Sequence, residues 1–448
     1  MQTVRIGERG TFVQYLQLAL TRTGIPTTVD GIFGKRTCLA LHTFEEQNGL
    51  PLKCEADGAV WRKLLPYLKG YTRHMIEQGD TFMALAERYG ATVEDIRRAN
   101  PSQNEDVLEV GAILNIPFDF PLVPTGVNYS SFLNQYVVEG LAVRYPFLQR
   151  GSIGRSVMGR QIPFLMMGDG RTEMFYNASF HANEWITTPV LLKFVEDYAK
   201  AYATGESIGE NSAAVLFDRY RLYLVPMVNP DGVDLVTGVI SPEGEYQRAY
   251  QSAKNISASY PQIPFPSGWK ANIRGVDLNL QYPAGWENAK EIKYEQGFTS
   301  PAPRDFVGTA PLSEPESRAV YDFTLAHDFS LILAYHTQGQ VIYWRYLDYE
   351  PENSGEIAQY FGEVSGYLVE ETPYASGFAG YKDWFISSYL RPGYTIEAGI
   401  GENPLPISQF DEIYRDNLGI LVGGMTQIRP VLVQPAPLPA LQEDSSGS

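Results

Sequence analysis

The sequence predicts an α/β protein with a mixed, mostly parallel sheet covered by helices on both faces. A small all-α three-helix domain and a small α+β module are expected before it. Short apolar runs, typical of buried strands, alternate with longer helical patterns between residues 127 and 430. Residues 1–118 instead show short helical patterns separated by glycine and proline. The length of 448 residues also indicates two or three domains.

The composition limits the functional classes. Hydrophobic residues make up 44% of the chain and aromatic residues 13%, which is typical of a globular protein. The net charge of −17 argues against a nucleic-acid partner, whose binding requires clustered basic residues. No apolar run reaches the roughly 18 residues of a membrane span. Cys38 and Cys54 are the only cysteines, and both a disulfide and two free thiols are compatible with the sequence.

Residues 1–70 contain three helical patterns. The first runs from Phe12 to Leu20, the second passes through Leu39 and Phe44, and the third surrounds Trp61. The turn between the first two reads Asp-Gly-Ile-Phe-Gly, and Gly-Leu-Pro follows the second. These features resemble the three-helix type of peptidoglycan-binding domain.

Residues 71–118 predict a second small unit. One helix starts at Gly79-Asp80-Thr81 and ends at Gly90, and Thr92 caps another that ends at Asn100-Pro101. A short strand closes the unit at residues 111–117. The Gly-Asp-Thr step, the Ala-Asn-Pro step and the final Leu-x-x-Gly-x-x-Leu-x-Ile-Pro resemble a LysM module, which implies binding to glycan that contains N-acetylglucosamine.

Two further segments are defined by their prolines. Residues 119–126 are predicted to form a stiff linker. Residues 431–448, which are proline-rich and end in Glu-Asp-Ser-Ser-Gly-Ser, are predicted to be a disordered tail. Between these segments lies the α/β region. Its predicted strands are Met174–Phe180, Leu222–Pro226, Leu331–Tyr335 and Tyr394–Ile396, and its predicted helices include Thr188–Ala201 and Glu314–Ala326.

Three residues of the α/β region have the chemistry of a zinc site. His181 and Glu184 are three residues apart, so their side chains share one face of a helical turn. Together with His336 they supply two imidazoles and one carboxylate, the ligand set of a catalytic zinc that keeps one position open for water. An isolated His-x-x-Glu is usually an ordinary surface pair. Here, however, His181, His336 and Glu397 each follow an apolar strand, and reactive groups collect beyond the carboxyl ends of strands in open α/β sheets.

With Asn-Pro-Asp-Gly at residues 229–232 and Arg-Gly-Val-Asp-Leu-Asn at 274–279, this ordered set resembles the zinc carboxypeptidase family of the carboxypeptidase A type. The resemblance covers roughly residues 127–430 and implies one Zn²⁺ per chain. It implies that His181, Glu184 and His336 are the zinc ligands, that Glu397 is the general base, that Arg274 stabilises the developing oxyanion and that Asp277 orients a zinc histidine. A purely structural ion pair between Arg274 and Asp277 is the alternative.

The sequence departs from this family at the position that binds a free C-terminal carboxylate. Carboxypeptidases of the family have arginine there, whereas this chain has Leu280 after the retained Asn279. Leucine cannot make the bidentate, charge-assisted contact of arginine. Ordinary carboxypeptidase specificity is therefore not expected, although Asn279 remains a candidate for substrate binding.

Two more substrate-binding candidates follow from the resemblance. Lys382 occupies the position at which members of the family line the pocket for the substrate side chain on the leaving side. A lysine there favours an acidic substituent on that side chain. The alternative is a solvated lysine. Tyr374 best matches the mobile tyrosine of the family, with Tyr381 as the competing assignment.

These features together resemble the peptidases that cleave between γ-D-glutamate and meso-diaminopimelate in peptidoglycan stem peptides. The resemblance implies peptidoglycan or muropeptides as partners, with glycan bound through residues 1–118. An ordinary metallocarboxypeptidase, a zinc deacylase on the same core and an inactive wall-binding protein are the alternatives. Because no secretory signal is evident, a cytoplasmic location is expected, with release to the wall or a role in sporulation as further hypotheses.

Overall fold

The structure is a computed structural model that describes residues 1–428. The predicted tail at 431–448 lies outside the described residues. Within residues 1–428, none of the helices is both long and apolar enough to cross a membrane.

The first unit is helical, and a short antiparallel pair of strands joins its N-terminal segment to the segment before the third helix. The three predicted helices are present, and Asp57 caps the third by accepting from the backbone N–H groups of Ala59 and Val60. Cys38 and Cys54 are joined in a disulfide. The elements are β1 (Val4–Arg5), α1 (Thr11–Arg22), α2 (Lys35–Gln47), β2 (Glu55–Ala56) and α3 (Gly58–Lys69).

The second unit packs two short helices on an antiparallel strand pair. The side chains of Thr81 and Thr92 cap the two helices, as the sequence predicts. The first strand of this pair was not predicted from the sequence. It pairs with the strand that was predicted at residues 111–117. The elements are β3 (Tyr71–Met75), α4 (Phe82–Tyr89), α5 (Val93–Ala99) and β4 (Ile113–Pro117).

The third unit contains the α/β region, and all four predicted strands and both predicted helices are present in it. Its strands are β5 (Gln149–Arg155), β6 (Gln161–Met167), β7 (Thr172–Ala178), β8 (Ser207–Ile208), β9 (Asn211–Ser212), β10 (Tyr220–Val225), β11 (Phe329–His336), β12 (Val341–Tyr343), β13 (Leu368–Glu370) and β14 (Gly393–Glu397). Its helices are α6 (Ser131–Arg144), α7 (Thr187–Thr204), α8 (Ala213–Arg219), α9 (Pro230–Val236), α10 (Gln247–Ser257), α11 (Trp286–Glu295), α12 (Pro315–Leu325), α13 (Ser354–Ser365), α14 (Tyr381–Tyr389) and α15 (Phe410–Thr426).

The main sheet has eight strands in the order β13-β12-β14-β11-β7-β10-β6-β5. The four central strands β14, β11, β7 and β10 are mutually parallel, and β12 and β13 are parallel to each other. Antiparallel pairing joins β12 to β14, β10 to β6, and β6 to β5. The sheet is therefore mixed and mostly parallel, as predicted.

Both faces of the sheet are buried, which explains why its central strands carry apolar residues on both faces. In β11, Leu331 and Leu333 belong to one apolar core, whereas Ile332 and Ala334 belong to the core on the opposite face. Helices α7 and α15 pack on the first face, and α12 and α14 pack on the second. Helices on both sides leave the strand ends as the accessible edges of the sheet.

The segment predicted as a stiff linker is buried between its neighbours. Leu122 and Val123 are buried, and their backbone N–H groups donate to the carboxylate of Glu196 in α7. Arg22 of the first unit donates to the carbonyl of Leu122, and Arg144 of α6 donates to the carbonyl of Phe118. The segment holds the first two units against the third instead of separating them.

Candidate active site

The register of three parallel strands brings the predicted catalytic residues together. His336 ends β11 and pairs directly with Glu397, which ends β14. On the other side of β11, Tyr335 pairs with Ala178 at the end of β7, three residues before His181. Because parallel strands present their carboxyl ends at the same edge, the three side chains meet there.

A single 3-10 turn over Ala182–Glu184 places the two closely spaced ligands. It directs Oε1 of Glu184 to 2.9 Å from Nδ1 of His181. Nδ1 of His336 lies 2.9 Å from Oε2 of Glu184 and 3.1 Å from Nδ1 of His181. Two imidazole nitrogens and a carboxylate thus surround one point, and all three residues are buried.

This donor set fits a zinc ion. Bonds of about 2.0–2.1 Å in a tetrahedron place neighbouring ligand atoms roughly 3.3 Å apart, close to the separations found here. The orientation of His181 also fits, because its other ring nitrogen, Nε2, lies 3.1 Å from Oδ1 of Asp277. A hydrogen bond from Nε2 leaves Nδ1 of His181 as the free donor for a metal.

Asp277 is itself held by backbone groups. Its Oδ1 accepts from the N–H of Asn279, and its Oδ2 accepts from the N–H of Asp305. Although burial opposes ionisation, the charge of His181 and these hydrogen bonds lower the pKa of Asp277. The structure thus places Asp277 where it orients a ligand, and the alternative ion pair with Arg274 is not formed.

Arg274, predicted to stabilise the developing oxyanion, is not among the residues that line the cavity beside the predicted ligands. It lies at the tip of a turn in which Asn272 accepts from its backbone N–H and Gly275 adopts a φ of 79°. The turn directs the arginine outwards, where its side chain is 56% exposed and lies 3.5 Å from Glu314. Glycine is required at 275, because a Cβ would lie 2.9 Å from the backbone nitrogen of Ala302.

Lys270, and not Arg274, is the basic residue that lies beside the predicted ligands. Its carbonyl accepts from the backbone N–H of Ala182, which places it beside the ligand turn, and its Nζ lies 3.0 Å from Oε1 of Glu184. Although burial opposes it, the charge of Glu184 raises the pKa of Lys270, so the ammonium stays charged. In the sequence, the only sign of this role is that Lys270 is a second basic residue shortly before Asp277. The spacing does not show which of Lys270 and Arg274 faces the predicted ligands.

Asn229 explains why the Asn-Pro-Asp-Gly motif belongs to this site. It caps α9 by accepting from the N–H of Gly232, and its side-chain amide donates to the carbonyls of Phe180 and Ala271. Those carbonyls adjoin His181 and Lys270 in the chain. One buried amide therefore fixes the spacing between a ligand and the cation.

Two cavities open at this edge of the sheet. The first has a volume of about 210 Å³ and is lined by His181, His336, Asp277, Asn279, Leu280, Lys382, Asp383 and others. The second, of about 700 Å³, is lined by residues 262–264, 267–268 and 401–403 among others. Four residues line both cavities, namely Lys270, Arg304, Tyr343 and Glu397.

Glu397 lies at this junction as a candidate base. Burial and the charge of Glu184 raise the pKa of Glu397 to about 8. A carboxylate with a pKa near the working pH is suited to accepting a proton from an attacking water. The position and the environment of Glu397 therefore agree with the predicted role.

Two substrate-binding candidates lie in the wall of the first cavity. Asn279 is oriented by the backbone N–H of Tyr381, which donates to its Oδ1, and Leu280 follows as an apolar neighbour. Lys382 is buried and not solvated, with Nζ 2.5 Å from Oδ1 of Asp383 and 2.8 Å from the carbonyl of Arg345. Lysine and aspartate thus line the cavity as an ion pair.

Neither tyrosine candidate lines the first cavity. Tyr381 is completely buried, stacks against Phe180 and bonds to the hydroxyl of Thr324, so it is part of the core. Tyr374 is 69% exposed and packs its ring edge on Phe378. Its neighbours Pro373 and Ser376 do line the cavity. Tyr343, which borders both cavities, was not predicted from the sequence.

Comparisons with known proteins agree with this geometry. Residues 135–419 match the zinc carboxypeptidase family, Peptidase_M14. The chain belongs to the zinc carboxypeptidase family. Residues 74–117 also match the LysM domain, as predicted.

The relatives of this zinc carboxypeptidase family member include bacterial and animal enzymes. Gamma-D-glutamyl-L-diamino acid endopeptidase 1 of Lysinibacillus sphaericus is 45% identical over 300 residues, which is 66% of this chain and 72% of that protein. Carboxypeptidase B of Bos taurus is 25% identical over 330 residues, 68% of this chain and 72% of that protein. The crystal structure of thrombin activatable fibrinolysis inhibitor aligns with a TM-score of 0.53 at 16% identity over 76% of this chain and 96% of that one, which confirms the fold.

We expect Asp277→Asn to weaken zinc binding roughly 10–100-fold, as removal of partners of metal-bound histidines usually does. The amide keeps the shape of the side chain but loses the charge that orients His181. Competition with a chromophoric chelator measures the zinc dissociation constant. Arg274→Gln, which removes an exposed charge outside the cavity, is the control. An unchanged dissociation constant in Asp277→Asn would contradict the orienting role.

Proposed function

We propose that this zinc peptidase hydrolyses the bond between γ-D-glutamate and meso-diaminopimelate in peptidoglycan stem peptides, with one zinc ion held by His181, Glu184 and His336. The observation that carries the proposal is Leu280 in the wall of the first cavity. An apolar side chain there offers no charge for a free C-terminal carboxylate, whereas a stem peptide can continue beyond diaminopimelate as an amide. The 45% identity to an enzyme named for cleavage at γ-D-glutamyl-diamino acid bonds supports the same substrate class.

The residues around the junction of the two cavities have different roles in the proposed reaction. Zinc, when bound, polarises the scissile carbonyl and lowers the pKa of a water molecule. Glu397 takes a proton from the attacking water and passes it to the leaving amine. Lys270 balances the charge that develops on the carbonyl oxygen, and Asp277 keeps the ring of His181 in place. Buried, pre-oriented charges need little rearrangement during the reaction.

On the leaving side, the ion pair of Lys382 and Asp383 suits the distal end of diaminopimelate. That end carries an amine and a carboxylate on the same carbon, whereas the side chain of lysine ends in an amine alone. A cation next to an anion can meet both groups with charge-assisted hydrogen bonds. The proposal therefore assigns recognition of diaminopimelate to the pair and not to a free lysine charge.

The N-terminal units support a polymeric substrate. The LysM match implies binding to glycan, and the helical unit at residues 1–70 is proposed as a second glycan-binding module. Both are held against the peptidase unit by the buried segment that contains Leu122 and Val123. The expected partner is therefore peptidoglycan or a glycan-linked muropeptide.

Mass spectrometry of products from defined muropeptides, with and without a chelator, tests the proposal. We expect cleavage between γ-D-glutamate and diaminopimelate, loss of cleavage after chelation, and recovery on addition of zinc. Release of only the C-terminal residue would indicate an ordinary carboxypeptidase. A chelator-resistant cleavage would contradict the zinc mechanism.

Matched substitutions distinguish the roles of Lys270 and Arg274, the two basic residues near Asp277. We expect Lys270→Met to lower kcat roughly 100–1000-fold, the usual cost of removing an oxyanion-stabilising group. We expect Arg274→Met to change kcat less than about threefold, because the side chain is exposed outside the cavity. Steady-state kinetics on a stem tripeptide, with zinc content checked for each variant, makes the comparison. The reverse order of effects would restore Arg274 to the catalytic role.

Lys382→Met tests recognition on the leaving side. We expect the ratio of kcat/KM for diaminopimelate stems to that for lysine stems to fall about tenfold or more, because one charge-assisted contact is lost. The double variant Lys382→Met/Asp383→Asn controls for an unpaired buried carboxylate. Equal losses on both substrates in the two variants would contradict the assignment.

A further inference from the structure

We propose that Arg304 is a specificity residue that binds the free α-carboxylate of the D-glutamate on the acyl side of the scissile bond. The inference rests on the proposed function and deepens it. Its basis is that Arg304 lines both cavities at the junction where Lys270 and Glu397 meet.

The two cavities hold different parts of the substrate, one on each side of this junction. The first contains Leu280 and the pair of Lys382 and Asp383, which belong to the leaving side. The second extends from the same junction to Asn183 and Asn403 and lacks these leaving-side residues. A substrate that crosses the junction therefore places its acyl portion in the second cavity, beside Arg304.

The chemistry of the γ-linkage places a carboxylate at this point. In a γ-linked glutamate the scissile carbonyl is the side-chain carbonyl, and the α-carboxylate remains free four covalent bonds away. An acyl residue with a neutral side chain that is joined through its α-carboxyl has no carboxylate in that position. A cation at the acyl side of the junction therefore distinguishes glutamate from an acyl residue without a free carboxylate, and a guanidinium matches a carboxylate with two parallel hydrogen bonds.

The neighbours of Arg304 hold it in place and leave donors for a ligand. Nε of Arg304 lies 2.5 Å from Oδ2 of Asp305, and Oδ1 of Asp305 pairs with Lys293 at 2.8 Å. Among residues 1–428, the hydrogen bonds of the Arg304 guanidinium involve Nε, and none involves its two terminal nitrogens. These nitrogens form the edge that can bind a carboxylate.

The backbone also ties Arg304 to the metal ligands. The N–H of Asp305 donates to Oδ2 of Asp277, the residue that orients His181. Asp305 adopts a φ of 65°, a left-handed conformation that costs free energy in residues other than glycine and persists where the surroundings enforce it. The position of Arg304 is therefore fixed relative to the reaction centre.

The other cations near the junction are engaged elsewhere. Lys270 lies 3.0 Å from Glu184 and faces the site of the developing oxyanion. The side chain of Lys293 is only 9% exposed and is paired with Asp305. The side chain of Arg304 is 45% exposed, so it can meet a charged substrate group from solvent.

Paired substrates that differ in one group test the inference. The first is L-Ala-γ-D-Glu-diaminopimelate, and the second carries D-isoglutamine, in which an amide replaces the α-carboxylate. We expect Arg304→Gln to lower kcat/KM roughly 10–100-fold on the first and less than about threefold on the second. Arg304→Lys keeps the charge and is expected to recover part of the loss. Arg274→Gln, an equal change of charge outside the cavity, is expected to leave both values unchanged.

Binding of the product gives a readout that does not depend on catalysis. Calorimetry with the zinc-loaded enzyme compares L-Ala-D-Glu with L-Ala-D-isoglutamine. We expect the wild-type enzyme to prefer the first and Arg304→Gln to lose that preference.

The outcomes separate this inference from the proposed function. Equal losses of kcat/KM on both substrates, or an unchanged preference in product binding, would overturn the assignment of Arg304 while cleavage of the γ-linked bond stands. If the wild-type enzyme does not cleave the γ-linked bond, the proposed function fails first. The product-binding comparison then still decides whether Arg304 binds a carboxylate.

Discussion

Parallel pairing of β11 with β7 on one side and β14 on the other determines where His181, His336 and Glu397 lie. His336 and Glu397 are paired residues in this register, and His181 follows β7 by three residues. A shift of one residue in any of these strands would turn a catalytic side chain to the other face of the sheet. The two apolar cores prevent such a shift, because alternate residues of each strand are buried on opposite faces. The catalytic geometry therefore depends on packing far from the chemistry.

A protein of net charge −17 must attract the anionic peptide that is proposed as its substrate. Charges further than about 8 Å apart are largely screened at physiological ionic strength, so the local arrangement has more influence than the total. Lys270, Arg304 and Lys382 line the first cavity, and each has an acidic partner, namely Glu184, Asp305 and Asp383. If zinc binds as proposed, Glu184 would be shared between the metal and Lys270. These partners keep the cations ordered, and the zinc adds positive charge at the point where a substrate carbonyl must bind.

The sequence could predict those parts of the site that follow from periodicity and strand ends. The central strands, the caps of the LysM helices and the meeting of His181, Glu184, His336 and Glu397 all depend on short-range patterns. The choice between Lys270 and Arg274 depends instead on a turn stabilised by Asn272 and on contacts with residues near 302, which are remote in sequence. Arg304 was overlooked because its neighbours at the junction come from distant parts of the chain. For the same reason, the prolines of the segment at 119–126 predicted stiffness but not burial.

Burial of that segment changes how the two N-terminal units, proposed to bind glycan, could assist the peptidase. A flexible tether raises the local concentration of substrate in all directions, whereas a rigid connection helps only where the bound glycan presents its peptide to the cavity. Lys69 and Tyr71 both contact Glu139 of α6, so the first two units share an anchor on the third. In α6, a Cβ at Gly140 would lie 2.0 Å from the carbonyl of Lys69, which shows how closely these units pack. With the units held in this way, a glycan bound as proposed would determine which stem peptides can reach the proposed zinc site.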